Sequence, residues 1–230
     1  SVDTIILLAN SGWSIERILR LTVDNINGVP NAPNAGGPTP SSVPKFKEFQ
    51  SVANIFRHLQ TNNSIDFFYD SKKNTSIIFY DDNQSVKELR EKLNLGNYKK
   101  LKFINGKGVL NNKSDSIVLS TRSFLGVMYY LSHSVDVPDK DKASGKVTIT
   151  YDEYGNEFDW SELTSNLFKV NSGADASNIA ISTNYRNNWF YIDDSDLNSK
   201  TTFSLLMQLF SLQSGKSESI APLLTLPIGQ

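Results

Sequence analysis

The chain has 230 residues, of which 39% are hydrophobic and 20% are charged, a composition typical of folded globular proteins. Its formal net charge is -1 with basic and acidic residues interleaved, which argues against the basic excess of a nucleic-acid-binding protein. It contains no cysteine, so disulfides, thiol catalysis and thiolate metal sites are excluded. The longest apolar run, residues 4–9, is too short to span a bilayer.

The first segment, residues 1–28, is predicted to be helical. Ser14 has the chemistry of an N-cap, apolar residues follow it at helical spacing as far as Ile26, and Gly28 is placed to end the helix. Residues 29–44 then hold five prolines and two adjacent glycines, which forbid a regular element. We interpret them as a linker, either a flexible tether or an ordered arm over the surface. The residues expected to contact a partner are Trp13, Pro30, Pro33, Pro38 and Pro40.

The remainder, residues 45–230, is predicted to form one α+β domain, and the loop near residues 136–146 is the candidate for a boundary between two lobes. An amphipathic helix comes first, and the runs SIDFFYD and SIIFY are expected to form a hairpin. A helix is expected from Ser85 to Leu95, followed by strands at KKLKFINGKG and SIVLS. The run TRSFLGVMYYLSHSV is apolar nearly all round, which predicts a helix in the centre of the domain.

The second half of this domain is predicted to continue with a strand at KVTITY and a short helix over residues 159–168. NIAISTNY and WFYIDD are expected to pair as a hairpin, because the intervening asparagines tolerate the positive φ of a tight turn. A last helix over residues 199–213 is expected at the domain centre, and the tail PLLTLPIG as an extended strap. The expected packing surface consists of Trp189, Tyr191, Phe203, Leu206, Met207 and Phe210.

This order of elements favours an α+β fold, with a mainly antiparallel sheet packed against several helices. Hairpins among the strands account for the antiparallel pairing, since short connections join neighbouring antiparallel strands.

The densest set of oxygen ligands consists of Asp193, Asp194, Asp196 and Asn198, and the alternate positions of the last three match the start of a calcium loop. The pattern then fails, because Ser199 stands where Gly is required and Leu205 where a bidentate Glu is required. Acidic residues ahead of a helix also serve as N-caps. We therefore favour capping and predict no bound metal or cofactor, and these three residues are the candidates should a cation bind.

Candidate catalytic residues do not form a constellation in the sequence. Ser42 and Lys45 have the Ser-x-x-Lys spacing of a penicillin-binding nucleophile, but no partner motif accompanies them. The two histidines, His58 and His133, are both expected at helix ends, where they serve C-terminal carbonyls. No catalytic residue is predicted.

Four runs resemble a family of bacterial envelope proteins and lipoproteins: RSFLGVMYYLS, EFDW, YRNNWFYIDDSDLNSKTTFSLLMQLFSLQSG and PLLTLPIG. The third run, with the pattern YRxxWFYIDDxDxxSKxTFxLLxQLFxLQ, is the most specific. The family has no established activity, so the resemblance implies no catalytic residues. It implies a bacterial source and a periplasmic or outer-membrane-associated location, with membrane contact only through an N-terminal lipid anchor. The first residue, Ser1, is consistent with processing, although no lipobox cysteine is present.

The leading hypothesis is a non-enzymatic cell-envelope protein that serves as a structural or accessory subunit of a larger assembly. Its expected partners are other envelope proteins or further copies of itself, and not nucleic acid. The alternative hypothesis is a hydrolase or a small-ligand-binding protein whose site forms from converging loops, which a deep pocket holding a carboxylate or histidine of perturbed pKa would favour.

Overall fold

The computed structural model describes residues 1–31, 43–69, 74–106, 114–173 and 178–214. The helices within these ranges are α1 (Val2–Asn10), α2 (Ile15–Thr22), α3 (Lys47–Thr61), α4 (Gln84–Lys92), α5 (Phe124–Ser132), α6 (Asp139–Ala143), α7 (Ser161–Thr164) and α8 (Leu197–Gln213). The strands are β1 (Val23–Ile26), β2 (Val29–Pro30), β3 (Ile65–Tyr69), β4 (Thr75–Phe79), β5 (Lys100–Asn105), β6 (Ser116–Thr121), β7 (Asn171–Gly173), β8 (Ile179–Tyr185) and β9 (Asn188–Asp193).

The strands form two sheets. The larger has the order β2-β1-β6-β5-β4-β3, in which β5 and β6 are parallel and the other neighbours are antiparallel. The smaller is antiparallel, with the order β7-β9-β8. The predicted α+β class and the mainly antiparallel pairing are therefore confirmed.

One hydrophobic core joins the N-terminal segment to the rest of the described chain. Ile6 of α1, Ile18 of α2 and Ile26 of β1 are fully buried in the same cluster as Phe56 of α3 and Ile117 of β6. The amphipathic pattern of α2 and α3 explains this, since both helices turn their apolar stripes toward the sheet. Residues 1–28 are thus part of the core that the later helices and strands share.

The predicted helix after Ser14 is too long. It ends at Thr22, and Val23 to Ile26 form β1, which hydrogen-bonds to β6. Asn27 and Gly28 have φ values of 49° and 92°, which are those of a tight hairpin turn between β1 and β2. Gly28 therefore turns a hairpin and does not end a helix.

Two further expectations are wrong. KVTITY does not form a strand, because no other strand lies beside it among the described residues. Within this run, a single isolated bridge joins Tyr151 to Glu157. α5 and α8 are not enclosed on all sides: Leu125 of α5 is 59% exposed, and Met207 and Phe210 of α8 are 50% and 51% exposed. Trp189, expected on the same packing surface, is 40% exposed. The strap expected at PLLTLPIG lies outside the described residues.

Candidate interaction surface

α5 is fixed to the core at both ends. Ser123 caps its start by accepting a hydrogen bond of 3.1 Å from the Gly126 N–H. The Arg122 guanidinium, just before it, donates to the backbone oxygens of Arg20 at 2.8 Å and Leu21 at 3.1 Å. It also lies 4.4 Å from the centre of the Tyr130 ring, a cation–π contact. Burial lowers the pKa of Arg122 to about 10, so it is still a cation at neutral pH.

α8 is held by two side chains of the N-terminal segment, one on α2 and one just before it. Arg17 of α2 donates to the Asn198 backbone oxygen at 3.0 Å, to the Asn198 Oδ1 at 2.8 Å and to the Leu167 oxygen at 3.2 Å. Farther along, the Trp13 Nε1 donates to the Gln208 Oε1 at 2.9 Å. Leu205, Leu206 and Leu209 are buried beneath the helix. α8 is therefore a firmly docked element, and its orientation is specified.

Both helices nevertheless carry a second apolar face that is open to solvent. On α5, Leu125 is 59% exposed and Met128 and Tyr129 are also exposed, on the side opposite Val127 and Tyr130. On α8, Met207 and Phe210 are exposed one turn apart. We call these five residues, Leu125, Met128, Tyr129, Met207 and Phe210, the α5–α8 surface.

The two halves of this surface meet at an aromatic contact. The rings of Phe124 and Phe210 have centroids 5.5 Å apart and are tilted by 50°. Met128 lies one helical turn beyond Phe124 on the same side of α5, and Met207 lies one turn before Phe210 on α8. The exposed side chains therefore lie on either side of this contact, in a strip that crosses from α5 to α8.

The surface carries no ionisable group other than the Tyr129 hydroxyl. α5 contains no charged residue, and α8 contains none after Lys200. Arg122, which precedes α5, is buried, and its guanidinium donates to backbone oxygens of the core. His133, at the C-terminus of α5, stacks on Trp160 with ring centroids 3.8 Å apart, and burial lowers its pKa to about 4. At neutral pH the surface is thus both apolar and uncharged.

The size of the surface can be compared with known interfaces. Half-exposed side chains of this size leave about 80 Å² each, so the five together expose on the order of 400 Å². Patches of this size on monomers are often functional. A standard interface uses about 800 Å² per partner, so this strip would form its apolar centre, with polar residues around it.

The three candidate metal ligands each have a separate partner within the protein. Asp196 is the N-cap of α8, and it accepts hydrogen bonds from the Ser199 N–H at 3.0 Å and the Ser199 hydroxyl at 2.6 Å. Asp194 pairs with Lys200 at 2.7 Å, and the Asn198 Oδ1 accepts from Arg17. No group of three or more acidic, histidine or cysteine side chains suited to a metal occurs among the described residues.

Of the five predicted partner-contact residues, the structure describes two. Trp13 is partly buried, and its ring N–H donates a hydrogen bond to Gln208. Pro30 lies in β2 and is paired with Asn25 of β1. Pro33, Pro38 and Pro40 lie outside the described residues. Contact between a partner and these five residues stays a prediction.

A shallow groove along α3 is the clearest candidate for a small-molecule site. It has a volume of about 560 Å³, is open to solvent and is lined by Lys47, Gln50, Ser51, Asn54, Ile55, His58 and Ser85. The lining contains no carboxylate, and the His58 ring is hydrogen-bonded to Asn62 at 3.0 Å. The histidine of perturbed pKa, His133, lies under Trp160 and not in this groove.

The sequence contained the signal for the α5–α8 surface but did not identify it. The absence of charge in α5 and in the last three turns of α8 predicts burial on all sides, whereas each helix has one buried and one exposed apolar face. Among the described residues, no helix combines the length and apolarity needed to cross a membrane. Comparison of the chain with protein-family models, with curated proteins and with solved structures finds no match.

Proposed function

We propose that the protein is a non-enzymatic accessory subunit of the bacterial cell envelope, and that it binds another protein through the α5–α8 surface. The observation that carries the proposal is the exposure of five large apolar side chains on two helices that are otherwise firmly docked. Exposed apolar area is unfavourable in water by roughly 25 cal/mol per Å², so about 400 Å² corresponds to roughly 10 kcal/mol that a partner could recover in part.

The chemistry of the surface specifies the partner. Because the strip offers neither charges nor a row of backbone groups, a complementary partner presents an apolar, uncharged helix or sheet face of its own. Met128 and Met207 are flexible and polarizable, which suits packing against an irregular apolar surface. Phe210 and Tyr129 provide larger and more rigid contacts of the kind that dominate binding energy.

The envelope location rests on the resemblance of the third-quarter and fourth-quarter runs to bacterial envelope proteins. Fractionation of native cells into cytoplasm, periplasm and membranes tests it directly. Recovery of the protein in the cytoplasmic fraction would contradict the location while leaving the binding proposal open to its own test.

Binding through the surface is tested by site-specific photo-crosslinking in native cells. A photoreactive phenylalanine analogue at Met128 or Met207 is expected to yield one discrete crosslinked protein, identified by mass spectrometry. The same analogue at Tyr154, which is 81% exposed and lies away from α5 and α8 in the sequence, is the matched control and is expected to give no such product. The captured protein is then purified and its affinity for the unmodified chain measured.

A charged variant separates binding from folding. Phe210→Glu is expected to weaken the affinity for the purified partner at least tenfold while the melting temperature changes little, because half of the ring is already exposed. Tyr154→Glu adds the same charge elsewhere and is expected to bind normally. Crosslinks only to lipid, to the same chain or to other copies of the protein would overturn the proposal. So would unchanged affinity in Phe210→Glu.

The alternative hypothesis, a hydrolase or small-ligand-binding protein, lacks a supporting observation in the described chain. The groove along α3 has no acid to act with His58 and is too open to exclude water from a reaction.

A further inference from the structure

The β7-β9-β8 sheet ends in a strand whose outer edge is open. No described strand pairs with the far side of β8, and all seven of its residues are exposed. The strand, IAISTNY, contains no charged residue and no proline. Natural proteins usually protect such an edge with charge, proline or a bulge, and here only the bulge between Ile179 and Ile181 is present.

The hairpin turn determines which backbone groups face the open edge. Arg186 and Asn187 have φ values of 50° and 60°, as in a two-residue type I′ turn, so Tyr185 and Asn188 form the closing hydrogen-bonded pair. Hydrogen-bonded and non-bonded pairs then alternate along the ladder. Ser182 and Asn184 are therefore non-bonded to β9, and their N–H and C=O groups point outward.

The side chains of β8 match those of a second β8 in the antiparallel sense. If two copies pair about a two-fold axis at Ser182, the opposite pairs are Ser182 with Ser182, Ile181 with Thr183, and Ile179 with Tyr185. Residues directly opposite in an antiparallel pair share a face. The apolar and β-branched residues thus meet one another, and no like charges are placed in contact.

We propose that two copies of this chain associate by pairing their β8 strands antiparallel about Ser182. The result is one six-stranded antiparallel sheet with the order β7-β9-β8-β8-β9-β7. This inference is independent of the α5–α8 surface, which binds a different protein. The paired edge is only seven residues long, which is small beside a standard interface, so we expect a dimer with a Kd on the order of micromolar or weaker.

Engineered cysteines test the register, because the natural chain has no cysteine that could react instead. In the paired dimer the two copies of residue 182 have Cα atoms about 5.5 Å apart, within the range that a disulfide bridges. Ser182→Cys is therefore expected to form a covalent dimer under mild oxidation. Asn184→Cys is the matched control: the two copies of residue 184 are offset by four residues, roughly 14 Å, which is too far for a disulfide.

A charge variant tests the dimer without crosslinking. Sedimentation equilibrium of the unmodified chain is expected to show a monomer–dimer transition. Ser182→Lys should raise the dimer Kd by about tenfold or more, because two lysines then face each other across the axis. Ser165→Lys adds the same charge at an exposed position after α7 and should leave the Kd unchanged.

Three results would overturn the inference. One is a chain that stays monomeric at all concentrations and forms no disulfide at position 182. Another is equal crosslinking at positions 182 and 184, which indicates random collision. The third is a dimer that Ser182→Lys does not weaken, which indicates association through another face. Loss of that dimer in Phe210→Glu would then assign it to the α5–α8 surface.

Discussion

At the scale of single residues, the pKa of His133 depends on its tertiary environment, which the sequence does not show. It lies at the C-terminus of α5, as predicted for a helix-end residue. The sequence could not show that Trp160 stacks on its ring or that Phe158 meets Trp160 edge-on at 5.1 Å. These contacts bring together residues that are distant in the chain, and burial of the ring lowers the pKa of His133.

The lowered pKa of His133 makes stability depend on pH. Because the folded-state pKa, about 4, is below the ordinary value of 6.5, the unfolded state binds more protons between these limits. The free energy of unfolding therefore falls as the pH decreases from 6.5 to 4. Partial exposure of the ring reduces the effect, and we expect about 1 to 2 kcal/mol.

Urea unfolding at pH 7 and pH 4.5 measures this dependence. His133→Phe keeps an aromatic ring against Trp160 but does not titrate, so its loss of stability between the two pH values should be smaller than that of the natural chain. His58→Gln removes the other histidine, which is exposed on α3, and should retain the natural dependence. Equal pH dependence in His133→Phe and the natural chain would show that His133 is not responsible.

At the scale of elements, most helices and strands and two of the hairpins could be predicted, but the surfaces against which the elements pack could not. The hairpins β3–β4 and β8–β9 and the helices α3, α5 and α8 follow from hydrophobic periodicity and turn residues. KVTITY alternates equally well yet forms no strand, since alternation does not supply a pairing partner. The sequence pattern of an apolar helix is likewise the same whether its second face packs against the core or against a partner. That ambiguity explains why Met207 and Phe210 are predicted to be buried but are half exposed.

The two faces of α8 should respond differently to truncation. Leu209 is buried, so Leu209→Ala is expected to lower the free energy of unfolding by about 2 to 5 kcal/mol. Phe210, its neighbour, is half exposed, and Phe210→Ala is expected to cost only about 1 kcal/mol, mainly from its ring contact with Phe124. Chemical denaturation of both variants provides the comparison, and equal losses would mean that Phe210 is as enclosed as Leu209.

At the scale of the whole molecule, the order of strands in the larger sheet could not be predicted from the sequence. β1 lies between β2 and β6, so Val23 pairs with Thr121 and Ile26 with Leu119, residues that are nearly 100 positions apart in the chain. Hydrophobic periodicity is a local signal and contains no information about such pairs. Local periodicity predicts residues 1–28 as a separate helical segment, but their apolar residues share one core with residues as distant as Leu209.

Deleting residues 1–44 should therefore abolish folding and not merely remove an arm. The deletion takes away α1, α2 and β1, with the fully buried Ile6, Ile18 and Ile26, and leaves β6 paired only with β5. Each such side chain contributes about 2 to 5 kcal/mol, so a few of them exceed the total stability of about 5 to 15 kcal/mol of a typical domain. Near-UV circular dichroism and amide NMR spectra should show the loss of fixed tertiary packing.

The matched control replaces residues 32–42 with Gly and Ser at the same length, which keeps α1, α2, β1 and β2 intact. Its NMR spectrum should retain the dispersion of the natural chain. If this variant loses binding to a partner, the Pro-rich residues contribute to that binding. Binding lost by the deletion of residues 1–44 would instead be a consequence of unfolding. A folded protein after deletion of residues 1–44 would contradict the shared core, because β6 and α5 would then be stable without the strand and helices that cover them.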